Sequence, residues 1–80
     1  MRLDKFLKVS RIVKRRTVAN EICDAKKVMI NQKVARASQE VKENDIITIS
    51  FGGNTSEYRI LKVVDAVTKE AASSLFEKIE

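Results

Sequence analysis

The sequence predicts an α+β domain in which two N-terminal helices pack on a small antiparallel sheet, followed by a C-terminal helix. Two changes of period predict it. Apolar residues recur at helical spacing as far as about Lys26, alternate between Val28 and Val64, and return to helical spacing after Thr68. Turn-forming residues punctuate the alternating stretch at Asn31-Gln32, Lys42–Asp45 and Gly52-Gly53-Asn54. Proline, internal repeats and low-complexity linkers are absent from the 80 residues, which make one small domain.

Taking the elements in order, Leu3, Phe6 and Leu7 share one face of a first helix over Arg2–Val9. Asp4 and Lys8 stand four apart in the order that favours an ion pair. Ser10–Arg16 reads as a basic connector anchored by Ile12 and Val13. Thr17 is the expected N-cap of a second helix running to about Lys26, with Val18, Ile22 and Cys23 on its buried stripe. Lys26 and Lys27 would complement the negative end of its dipole. Val28–Ile30 and Val34 read as a short hairpin closed by Asn31-Gln32, and Asn44 is the residue best able to turn left-handed. Ile46–Phe51 is the strongest strand, with Ile47, Ile49 and Phe51 on one side, and Tyr58–Val64 pairs back onto it. Thr68 caps the expected final helix, whose inner face carries Ala72, Leu75, Phe76 and Ile79.

The composition points away from catalysis. Histidine is absent, which removes the commonest general base and metal ligand. Cys23 is the only cysteine and lies on a buried stripe, the setting of an inert core thiol. Gly52-Gly53 joins two strands, not a strand to a helix, so no phosphate loop is present. No cofactor or metal is expected. A lone thiol without an N-terminal apolar run predicts a cytoplasmic protein. No run approaches the roughly 18 apolar residues that span a membrane.

The charge is unevenly placed. Residues 1–36 hold eleven basic and three acidic side chains, a net +8, whereas residues 37–80 carry −3 of the total +5. Such asymmetry marks a polyanion-binding face. If the first two helices pair, Arg2, Lys5, Arg11, Lys14, Arg15 and Arg16 surround the start of the second helix, where unpaired N–H groups add to the attraction for phosphate. Arginine grips phosphate as a planar fork, so the four arginines among the first 16 residues favour a shaped nucleic acid over a membrane surface. Asn20, Glu21 and Asp24 on the second helix suit DNA-groove reading poorly, which favours structured RNA. Phe6, Phe51 and Phe76 are all assigned to core faces, so no base-stacking platform is expected.

The segments MRLDKFLKVSRIVKRRTVANEIC, VMIN and VKENDIITI carry a recognisable pattern. Over about residues 1–51 the chain resembles the RNA-binding domain named after ribosomal protein S-four, the alpha-L motif, with residues 52–80 adding a strand pair and the final helix. The whole chain is most similar to stand-alone members, the RqcP (YabO) family of bacterial ribosome quality-control factors. That resemblance implies a monomeric, cytoplasmic, ribosome-associated protein that contacts large-subunit rRNA and peptidyl-tRNA. It further implies a non-catalytic clamp that works beside the alanine-tailing factor RqcH. By the matched motifs, Arg2 and Arg16 are the principal RNA contacts, with Arg11, Lys14, Arg15 and Lys5 in support. Asp4 is expected to orient its basic neighbours.

Two departures stand out. Asn31-Gln32 occupies a turn where the family often has Asn-Gly, and Asn44-Asp45 a site where it often has Gly-Asp. Two other readings stay open. A heat-shock-type ribosome-recycling relative would typically carry a basic C-terminal tail, whereas SSLFEKIE is mildly acidic. A protein-interaction module could use the same arginines to dock on acidic partners.

Overall fold

Leu3, Phe6 and Leu7 emerge on one side of α1 (Leu3–Val9) and are fully buried, as their spacing predicts. The structure, a computed structural model, describes residues 1–79. After α1 and α2 (Arg16–Asp24) come five strands: β1 (Val28–Ile30), β2 (Lys33–Val34), β3 (Ile46–Phe51), β4 (Asn54–Ile60) and β5 (Phe76–Ile79). They form one antiparallel sheet in the order β2-β1-β3-β4-β5. Ala19, Ile22 and Cys23 of α2 join the α1 residues over Val28, Ile30, Ile47, Ile49 and Ile60 of the sheet. Burying each large aliphatic side chain contributes about 1.5–3 kcal/mol, and this single shared layer is the main stabilising element.

Both helices end on a residue with left-handed backbone. Lys26 (φ 61°) follows α2, its N–H bonding Cys23 O and that of Lys27 bonding Ile22 O, each at 2.9 Å. That pair of bonds closes the last turn. The two lysines therefore lie just past the final turn and not within it. Arg11 (φ 63°) also turns left-handed after α1, its N–H bonding Lys8 O at 3.1 Å, but there the bond to Leu7 O comes one residue later, from Val13 N at 3.0 Å. The start of α2 differs from expectation: the helix begins at Arg16, with Arg15 as a cap residue that supplies no side-chain acceptor. Thr17 is thus inside the first turn and is not the cap.

The first hairpin is a two-residue turn in which Asn31 (φ 50°) and Gln32 (φ 69°) are both left-handed, with Ile30 paired to Lys33. This is the turn that Asn-Gly normally makes, and Gln32 adopts it against its own preference. Asn31 earns its place by accepting a bond from Ile46 N at 3.0 Å and donating one to Asp45 Oδ1 at 3.1 Å. Gln32→Gly is accordingly expected to stabilise the domain by about 0.5–1 kcal/mol. Thermal unfolding would show it as a Tm rise of a few degrees. Asn44 (φ 73°) is left-handed as its residue type predicts.

Three strand and helix assignments change. Gly52 (φ 55°) and Gly53 (φ 85°) make a two-residue turn, so β4 pairs from Asn54 onward and ends at Ile60, not Val64. The expected C-terminal helix is a 3-10 turn over Ala72–Leu75 followed by β5. Thr68 does not cap that turn, whose N-cap is Ala71 without a side-chain bond; its hydroxyl accepts Ala71 N at 3.2 Å just ahead of it, while Ala72 and Leu75 are buried as predicted. A helix of about twelve residues is marginal by itself, whereas β4 offers an open edge that Phe76–Ile79 closes over four residue pairs. Tyr58 and Phe76 add an edge-to-face contact at 5.4 Å. Phe51, finally, is 60% exposed and does not belong to the core. β3 outruns the helices that cover Ile47 and Ile49.

Candidate nucleic-acid interface

A buried carboxylate organises the basic end of the molecule. Asp4 sits in the first turn of α1 with only 1% of its surface exposed. Its oxygens accept Arg2 Nε at 3.2 Å, Arg2 Nη2 at 3.3 Å, Arg16 Nη2 at 3.4 Å, Asn20 Nδ2 at 3.1 Å and Lys5 N at 2.8 Å, and Arg16 Nε lies 3.3 Å away. Asp4 thus ties the start of α1 to the first turn of α2, and it pairs with these arginines instead of Lys8. Burial alone would raise its pKa; the bond from Arg16, the Lys5 N–H, the Arg16 charge and the bond from Arg2 together hold it below the ordinary 3.8.

The two guanidiniums face solvent on their other side. The Arg2 and Arg16 side chains are 52% and 48% exposed. Each presents its Nε edge to Asp4, which leaves N–H donors pointing outward in a fixed plane. The hollow between them, about 430 Å³, is lined by Arg2, Asp4, Arg16, Thr17 and Asn20. The cluster bears two positive charges over one buried negative charge, so it attracts anions. Among the described residues, the first-turn N–H groups of α2 meet no capping side chain and also open here. The start of α1 is occupied: Leu3 N bonds Gln39 O at 2.8 Å and Asp4 N bonds Ala37 O at 3.1 Å.

This geometry agrees with what is found by comparison. The S4 domain family model matches residues 1–47, the stretch that builds α1, α2, the first hairpin and the start of β3. The chain belongs to the S4 domain family. It is 49% identical over 77 residues to the RQC P-site tRNA stabilizing factor of Halalkalibacterium halodurans, covering 96% of this chain and 88% of that protein. The protein of the same name from Bacillus subtilis is 43% identical over 76 residues, 95% and 88% of the two chains. Among solved structures, Vibrio cholerae heat shock protein 15 superposes with a TM-score of 0.89 at 29% identity, over 99% of this chain and 81% of that one. The solution structure of a hypothetical protein, HP1423, gives 0.84 at 33% identity over 100% and 98%.

Within this S4 domain the six basic residues singled out from sequence separate into groups. Arg2 and Arg16 converge on Asp4. Arg15 precedes Arg16 at the helix start and, with Lys14, is exposed. Lys5 turns away, its Nζ 3.3 Å from Asp65 Oδ1, and Arg11 lines a separate hollow with Lys8 and Asp65. From the sequence Asn20 is weighed only as a reader of a DNA groove, yet its amide bonds Asp4, and Arg36 receives no special weight. Arg36 lines a second hollow of about 480 Å³ that shares Arg2 and Asn20 with the first. The spacing Arg16–Asn20, one helical turn, was the available signal for Asn20. Cys23 is buried, and burial followed by the charges of Asp4 and Asp24 pushes its pKa up to about 11, which keeps it a neutral thiol.

Proposed function

We propose that this chain is a non-catalytic RNA-binding factor of bacterial ribosome-associated quality control. In this reading it binds the large ribosomal subunit through rRNA, contacts the peptidyl-tRNA there, and supports the addition of alanine to stalled nascent chains by RqcH. The observation that carries it is the Asp4 clamp, which holds Arg2 and Arg16 as two outward forks beside the open start of α2. Such a site suits a phosphate backbone of defined shape, because the donors are fixed before the RNA arrives. Relatives that share nearly the whole chain are named for stabilising P-site tRNA. A clamp needs no acid, base or metal, and the sequence offers no histidine for one. Arg15, Lys14 and Arg11 would add to the attraction, with Lys5 the least engaged.

The test is a pull-down from cells with stalled translation. The protein should bring large subunits bearing peptidyl-tRNA in preference to whole ribosomes or free RNA. Removing it should lower alanine-tailed products, and normal tailing would refute the role. The likeness to heat shock protein 15 supports a second reading, a ribosome-recycling factor. In that case binding would persist while tailing stayed unchanged. Here the last described residues pair as β5 and do not form a basic extension.

A further inference from the structure

Phe51 borders an apolar groove that the Asp4 cluster does not use. The groove, about 320 Å³, runs between Val13, Val18 and Ile22 on the helical side and Ile49 and Phe51 on the sheet, with Asn54, Ser56 and Tyr58 along its rim. It exists because β3 continues its inward row, Ile47, Ile49, Phe51, beyond the end of the helical cover. Exposure along that row rises from 0% to 8% to 60%.

We infer that this groove receives an unpaired nucleobase of bound RNA, stacked on the Phe51 ring. Charge selects this occupant. Among the described residues no acidic side chain lines the groove, and the Lys27 ammonium lies 5.6 Å from the Phe51 ring centroid. Lys14 and Arg15 follow Val13 directly and have no ion-pair partner among the described residues. An occupant must therefore be apolar on its faces and anionic at its margin, which describes a nucleotide. The Lys27 side chain is long enough to swing from the ring to the phosphate of a stacked nucleotide. Asn54, Ser56 and Tyr58 offer donors and acceptors to a base edge without fixing one base, the pattern of stacking that tolerates sequence. A protein side chain could fill the same volume, but the surrounding cations would be left without counter-charges. The tip beyond Phe51 is unobstructed, since a Cβ at Gly52 or Gly53 would meet nothing within 4 Å.

The inference rests on the reading that the chain binds RNA, and its test separates the two. The chain has no tryptophan, so Phe51→Trp installs a single indole reporter at an exposed position. Hexa-adenylate should quench its emission. Phe51→Ala should weaken hexa-adenylate binding about tenfold while lowering the dependence of affinity on salt by no more than the single phosphate contact of Lys27, because stacking itself releases no counterions. Circular dichroism would establish that both variants fold. An emission that hexa-adenylate leaves untouched, or one that responds only to RqcH, would overturn the inference. The RNA-binding reading is judged independently, by whether large subunits co-sediment with the wild-type chain and with Arg2 and Arg16 variants.

Discussion

Replacing Asp4 by alanine is expected to cost about 2–3 kcal/mol of folding stability and to abolish ribosome association together. The carboxylate is buried and accepts bonds from four other groups: Arg2, Arg16, Asn20 and the Lys5 N–H. Arg2 and Arg16 are half exposed and can rehydrate, so the loss is smaller than for a fully enclosed ion pair. It still amounts to roughly 10–20 °C in the Tm of a domain this size. Asp4→Asn keeps the volume but turns an amide donor toward two guanidiniums, so it should be nearly as damaging. The pH dependence has a definite sign. The folded Asp4 pKa is depressed below the ordinary 3.8. Its contribution is therefore complete above that value and is lost as pH falls through the lower, folded one. Acid titration of the wild type should show this loss, and Asp4→Asn should remove that component. An Asp4→Ala protein with unchanged Tm and unchanged subunit binding would show that the clamp organises nothing.

Asp4 also illustrates what the sequence could and could not disclose. Its role in orienting basic neighbours is implied by the RLDKFL motif the chain shares with its family, and the bonds from Arg2 and Arg16 bear it out. The choice of Arg16 and Asn20 as partners does not follow, because it depends on how α1 and α2 cross. The two N-terminal helices, the first hairpin and β3 were legible, since each has its own period and its own turn residues. The final segment was not. Ala72, Leu75, Phe76 and Ile79 fit a helix by spacing, but the decisive term is non-local: the free edge of β4 takes Phe76–Ile79 as a strand. Phe51 failed for the same reason, because alternation fixes which way a side chain points and not how far the covering helices reach. Lys5 was grouped with the other basic residues on charge, and its contact with Asp65 comes from the loop after β4.

Arg2→Ala and Arg16→Ala should each weaken co-sedimentation with large subunits by tenfold or more, with the fold preserved. Either single change leaves Asp4 paired to the remaining guanidinium, to Asn20 and to the Lys5 N–H, so little stability is lost. The double variant removes both countercharges from a buried carboxylate, and its destabilisation should exceed the sum of the singles. Lysine substitutions sharpen the argument. A lysine keeps the charge but has no second face, so it can neutralise Asp4 or meet a phosphate, not both in fixed geometry. Arg16→Lys should therefore hold the Tm close to wild type and still lose most of the binding. Loss of a phosphate contact should also reduce the slope of affinity against salt by about one per arginine removed. If lysine restored binding in full, the face would be acting through charge density alone, and the forks held by Asp4 would have no part in recognition.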